Sequence, residues 1–363
     1  DAFSFLLAAL FSILVGRNSG ADALGEFSIA FVIATIIRTV IEGGYEYSIP
    51  RGGAGNYQKL PALSALALKY KFNIWLITFP IGIGIGLTMA HSWSFIILLV
   101  WNIVWSIGSV YRANLRAIGK IPLISKLETK ANVVLYGLCI AALYIAPAVS
   151  WYLLLFLIIE IPKTIILRNH VSKELQTEFP ILADIRLNFI EAFGQLKTQF
   201  MLVVFNLCTV LMYRMPLIVV SSLGGALGAG HYSAAMRFLT ILRVIPGAIL
   251  SVLLPGLSKE KDDAAIFKLT LIQTGIIGLI ISAGLFFSAE LIMQLTYKFM
   301  IATPILKILA WTFLPVSINS VLEAYLLAKH KEKQINLSML AAAVIIGIGS
   351  IIRGNEISQS REN

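Results

Sequence analysis

The chain has 363 residues, 58% hydrophobic and 13% charged, with a net charge of +10. Soluble domains average about 25% charged residues, so this composition and a mean hydropathy of +0.84 exclude an ordinary soluble enzyme and a disordered chain. The basic excess is explained by the positive-inside rule of integral membrane proteins rather than by nucleic-acid binding.

Apolar blocks repeatedly reach the about 20 residues that cross a bilayer as helix. A β-barrel would show alternating segments of about 10 residues instead. In chain order, spans are predicted over 2–16, 25–49, 68–90, 93–112, 131–147, 150–167, 200–221, 230–254, 267–288, 303–328 and 335–352. The fold class is therefore an all-α polytopic membrane protein with about eleven transmembrane helices. Connections after the even-numbered spans are basic: Arg51, Lys59, Lys69 and Lys71; then Arg112, Arg116, Lys120, Lys126 and Lys130; later Arg168, Lys173, Arg186 and Lys197; then Lys259, Lys261 and Lys268; last Lys329, Lys331 and Lys333. The opposite connections "IAPAVS" (145–150) and "SSLGGALG" (221–228) carry no Lys or Arg. This asymmetry puts the N-terminus and the basic connections in the cytoplasm.

The longest connection, 168–199, holds Leu182, Ile185, Phe189, Phe193 and Leu196 at helical spacing. We expect an amphipathic helix on the cytoplasmic surface. It links an N-terminal six-helix lobe (1–167) to a C-terminal lobe (200–363). An odd number of spans leaves the tail outside, so the C-terminal lobe reads as incomplete, missing a twelfth helix. The chain opens at Asp1 with no initiator Met and reads as cropped there too.

The halves share an internal repeat. With a shift of 205 residues, "GEFSIAFVIATIIRTVIEGGYEYSIP" aligns without gaps on "GHYSAAMRFLTILRVIPGAILSVLLP". Gly25 meets Gly230, Arg38 meets Arg243, Pro50 meets Pro255, and upstream Gly20-Ala21 meets Gly225-Ala226. The second and eighth spans are thus equivalent. An even number of helices separates them, so the repeats are parallel, as in transporters whose halves face each other across a central site.

Charge inside the spans is the strongest functional signal. Arg38 lies about 1.5 Å from the centre of its span, and Arg243 is equally central in the other half. Arg214 and Arg237 lie farther outward. A midplane arginine costs about 2.5–3.5 kcal/mol on insertion scales, so such residues face water, a carboxylate or a substrate. Glu42, four residues after Arg38, could neutralise it as a structural ion pair. The alternative is an anion site, for which the planar guanidinium fork suits phosphate. Glu46 is either interfacial or, with Glu42, part of proton or sodium coupling. Gly43-Gly44 and Pro246-Gly247 follow the two paired arginines and could serve as hinges or as close-packing points. No cofactor and no metal is called for: the four His are dispersed, Cys139 and Cys208 fall inside spans, and no catalytic motif is present.

"LGEFSIAFVIATIIRTVIEGGYEYSIPR", "LGAGHYSAAMRFLTILRVIPGAILSVLLPGLS" and "ATPILKILAWTFLP" resemble segments of the polysaccharide-biosynthesis (O-antigen) flippases. These belong to the multidrug/oligosaccharidyl-lipid/polysaccharide exporter superfamily. The resemblance implies two six-helix lobes around a cationic cavity. It implies transfer of a polyprenyl-diphosphate-linked glycan across a prokaryotic inner membrane, beside other polysaccharide-assembly membrane proteins. By position, Arg38 and Arg237 or Arg243 would carry the cavity charge, and Arg214 is a further candidate ligand by its charge inside a span. "YRMP" (213–216) departs from relatives that carry an acid there.

Three other functions compete. A lipid II flippase of the same superfamily would also need cationic diphosphate ligands. A multidrug/cation antiporter would need an embedded acid and an apolar pocket. A membrane polysaccharide polymerase or ligase would carry its chemistry on long outer loops, and the outer loops here are short. A transporter, not an enzyme, is the expectation.

Overall fold

In the computed structural model every described element is helical. The structure describes residues 2–53, 56–87, 92–145, 149–180, 188–242, 245, 263–328, 337, 338 and 341. Among them the α-helices are α1 (Ala2–Glu42), α2 (Tyr45–Gly53), α3 (Leu60–Leu87), α4 (Ser92–Ala117), α5 (Ile121–Ile145), α6 (Val149–Leu175), α7 (Phe189–Leu242), α8 (Asp263–Thr296) and α9 (Thr303–Ala328). Helix is the expected outcome, because in lipid every backbone N–H and C=O must be satisfied within its own segment.

Eight described stretches are long and apolar enough to cross a membrane. Two of these, Leu6–Gly53 and Asn206–Leu242, each overlap two of the expected spans. Each is divided by a glycine in a conformation that side chains avoid: Gly20 (φ 85°) and Gly225 (φ 61°). These glycines are equivalent under the 205-residue shift, so the repeated sequence carries a repeated helix–kink–helix unit. The expected span 335–352 lies outside the described residues except for Leu337, Ser338 and Ala341.

Contacts divide the chain into two compact units. The first comprises residues 29–214. In it α4 packs against α2, α3 and α6, and α5 packs against α6. Its apolar core includes Ile41, Tyr45, Leu60, Tyr70, Tyr111 and Leu167, all buried. Two glycines of α3 are close-packing points. A Cβ on Gly82 would lie 2.7 Å from Leu99, and one on Gly86 2.7 Å from Phe95.

The second unit joins residues 4–28 to 215–363. There α8 packs along α9. The opening half of α1 docks through Tyr297, whose hydroxyl lies 3.1 Å from that of Ser12. A Cβ on Gly16 would come within 2.5 Å of the same ring. This grouping follows contacts, whereas the lobes 1–167 and 200–363 follow the sequence repeat.

Within the second unit the repeat meets itself. A Cβ on Gly25 would sit 1.8 Å from the Ala226 carbonyl oxygen, and one on Gly230 1.9 Å from that of Ala21. Ala21 and Ala226 are equivalent under the shift, as are Gly25 and Gly230. The contact is therefore reciprocal, and only glycine lets the two backbones approach this closely.

One group of assignments is corrected. Lys69, Lys71, Arg112, Lys126 and Lys130, read above as belonging to basic connections, lie inside α3, α4 and α5. Lys71 is 0% and Arg112 4% exposed. Hydropathy windows end where charge begins, but a helix continues wherever neighbouring helices supply partners for that charge. Residues 168–175 prolong α6 and 189–199 open α7, while 181–187 lie outside the described residues. The opening turn of α7 is tied to α2 and α3: Tyr45 donates to Gln195 at 2.7 Å, and Lys69 pairs with Glu191.

Candidate functional site

The first unit holds a buried charge cluster contributed by five helices. The α4 face "WNIVWSIGSVYR" (101–112) is its centre. Residues 101, 105, 109 and 112 fall on one side of a helix by the 3.6-residue repeat. That side presents Trp101, Trp105, Ser109 and Arg112 toward α1, α3, α5 and α6.

Lys71 of α3 is completely enclosed. Its Nζ donates to Glu42 Oε2 (2.7 Å), to the Ser106 carbonyl (3.0 Å) and to Ser109 Oγ (2.6 Å). All three ammonium donors therefore have acceptors. Ser109 Oγ also donates to Glu42 Oε2 at 2.7 Å. The other oxygen of Glu42, Oε1, is buried with no hydrogen-bond partner.

On α6, Lys163 donates to Glu160 Oε2 at 2.7 Å. Arg112 lies 3.7 Å from Glu160 Oε1 and 3.7 Å from Glu128 Oε1. Arg112 Nη1 and Glu160 Oε1 are both buried without a hydrogen bond. The Arg112 guanidinium also lies 4.4 Å from the centre of the Trp105 ring.

Arg38 lies half-buried near these pairs. Its guanidinium is 4.2 Å from the Trp105 ring centre and 5.1 Å from that of Trp101. Among the described residues it forms no ion pair. Glu42, Arg112, Glu160 and Arg214 all act on it electrostatically. The structural ion pair open to Glu42 is therefore formed with Lys71, not with Arg38. The cluster sets four cations (Arg38, Lys71, Arg112, Lys163) against three carboxylates (Glu42, Glu128, Glu160), and Arg38 is the cation that has none of them. A π-face attracts a cation without cancelling its charge. Arg38 can therefore still offer its planar donor fork to an anion.

The other expected site residues are dispersed. Glu46 pairs with Arg116 where both are partly exposed, an interaction of small energetic weight. Gly43 (φ 59°) and Gly44 (φ 74°) form the break between α1 and α2. A Cβ at Gly43 would lie 2.2 Å from the Tyr70 ring, and one at Gly44 2.6 Å from Leu202. Both positions are thus turn and close-packing point at once. Arg214 is exposed at the end of the first unit, and Arg237 is half-buried in the second. Arg243, Pro246 and Gly247 lie outside the described residues.

Sequence reasoning missed Lys71, Arg112, Glu160 and Lys163. For Glu160 and Lys163 the signal was available: "IIEIPKTI" (158–165) puts a carboxylate and an ammonium three residues apart inside the sixth span. For Lys71 and Arg112 it was not, because each stood at the edge of its hydropathy window.

These features define a multi-pass helical membrane protein with repeated, glycine-kinked helices and a polar cluster buried inside one unit. The sequence matches no family model and no curated protein. Solved structures do match. One is a crystal structure of MATE in complex with MaL6: TM-score 0.63, 14% identity, covering 96% of this chain and 86% of that one. A second is the inward-facing conformation of a multidrug resistance MATE family transporter of the MOP superfamily, with TM-score 0.63 and 14% identity over 97% and 87% of the two chains. A third, MATE in the bent conformation, gives TM-score 0.51 at 14% identity over 100% and 95%. The chain is similar to these MATE proteins in fold.

Proposed function

We propose that this chain is a membrane transporter that flips a polyprenyl-diphosphate-linked glycan, an O-antigen or other polysaccharide repeat unit, across a prokaryotic inner membrane. The observation that carries the reading is Arg38: among the described residues, an embedded guanidinium left out of every ion pair in a cluster with an excess of cations. A diphosphate supplies the missing negative charge, and the guanidinium fork matches its oxygens. In this reading Arg214, Arg237 and Arg243 are further anion ligands. The MATE fold supports transport as the general activity. The resemblance of the 24–51 and 227–258 segments to O-antigen flippases supports the substrate class. The alternation of basic and neutral connections supports a cytoplasmic N-terminus.

The test is complementation of a flippase-deficient strain at matched membrane level. Arg38→Ala is expected to abolish complementation. Arg38→Lys is expected to restore it only in part, because an ammonium lacks the bidentate fork. Full activity of Arg38→Ala overturns the reading.

A second reading, export of cationic drugs, is favoured by the buried carboxylates Glu42 and Glu160 and by the two indoles. It requires cationic dye efflux that survives Arg38→Ala and fails in Glu160→Gln.

A further inference from the structure

We infer that Lys71 is a positioning residue that keeps Arg38 open to an anion by holding Glu42 away from it. The inference rests on the diphosphate reading of Arg38 and adds the device that sets its charge.

Glu42 is the natural partner for Arg38. The two are four residues apart on α1, which makes them surface neighbours on one face of a helix. Among the charged groups around Arg38, Glu42 acts on it most strongly. Yet the carboxylate faces α3 and α4. Its Oε2 accepts from Lys71 Nζ at 2.7 Å and from Ser109 Oγ at 2.7 Å. Lys71 is in turn fixed by the Ser106 carbonyl and Ser109 Oγ. With 0% exposure and every donor used, Lys71 is not placed to touch a ligand itself. Its effect on an anion must pass through Glu42.

Glu42 Oε1 is buried and lacks a hydrogen bond. An acceptor in that state gains from any cation it can reach. If the Lys71 charge is removed, the carboxylate loses its ion pair, and Arg38, four residues away on the same helix, is the cation of the cluster without a carboxylate among the described residues. Pairing there would place the Glu42 carboxylate where a diphosphate oxygen has to bind. Lys71 thus sets a choice between two anions for one guanidinium, one internal and one brought by the substrate.

The experiment uses the full chain in detergent micelles, titrated with farnesyl diphosphate by calorimetry, with tryptophan emission recorded in the ligand-free protein. Lys71→Met is expected to bind at least about tenfold more weakly than wild type. The double variant Lys71→Met/Glu42→Gln removes both charges while keeping the shapes, a replacement that buried pairs often tolerate. It is expected to bind within about threefold of wild type. In ligand-free protein, Lys71→Met should change tryptophan emission, because Arg38 leaves Trp101 and Trp105, whereas the double variant should not. Rescue by the second substitution is what a merely structural lysine would not give.

Wild-type affinity in Lys71→Met, or binding by the double variant as weak as by Lys71→Met, overturns the inference. If Lys71→Met does not yield folded protein, the double variant decides alone: near-wild-type binding supports the inference, and loss of binding overturns it. Undiminished binding in Arg38→Ala, or none in wild type, sinks the diphosphate reading instead. The emission comparison still reports on the Lys71 device in that case, since it needs no ligand.

Discussion

Among the described residues, the tightest contact in the second unit is made by backbones, Gly25 on Ala226 and Gly230 on Ala21, whereas the first unit buries charged side chains, Lys71, Arg112 and Glu160. Both solve the problem of joining helices where apolar burial gives little preference for one neighbour over another. The glycine contact works by leaving atoms out, so substitution harms it by adding volume. The charge cluster works by complementarity, so substitution harms it by leaving a partner unmatched. The first kind of contact is indifferent to ligand. The second can be rearranged by one, and it is the part of the molecule to which chemistry is assigned here.

The comparison can be broken most severely at the glycines. Gly25→Val and Gly230→Val each push a side chain into a carbonyl oxygen that cannot rotate away. Both are expected to destabilise by more than about 3 kcal/mol, beyond usual overpacking, and to remove most folded protein, measured as the monodisperse fraction of a fluorescent fusion in detergent. Because the contact is reciprocal, the two losses should be equal. Tolerance of one and not the other would break the two-fold description.

Glu160→Ala comes next. It strands Lys163 in the interior and leaves Arg112 with Glu128 alone, at a cost of about 3–5 kcal/mol, read as a fall in melting temperature of purified protein. Glu160→Ala/Lys163→Met should recover part of that loss, which no volume change at the glycines can do.

The smallest effect is at the exposed pair. Arg116→Ala should cost less than about 1 kcal/mol and leave the melting temperature nearly unchanged. A large loss there would show that partly exposed charge matters as much as enclosed charge, and would erase the distinction.

Much of this was legible in residue order. Gly20 and Gly225 matched under the repeat before either was known to kink, and Arg38 stood out by depth alone. Glu160 and Lys163 met the same depth criterion and were passed over. Trp101, Trp105 and Arg112 share a helix face that could have been read off their spacing, but nothing local says that this face turns toward Arg38.

The sequence by itself determined the all-helical fold class and the repeat, because each rests on local periodicity and on a backbone that must satisfy its own hydrogen bonds in lipid. Only the tertiary structure decided which charge meets which. Glu42 had a cation four residues away on its own helix and instead pairs with Lys71, 29 residues on. Lys71 can be enclosed only because α4 brings two more acceptors to it, and that enclosure leaves Arg38 without a carboxylate. Pairing between buried charges depends on which helices become neighbours and on whether every remaining donor finds an acceptor, and neither is written in the spacing along one helix.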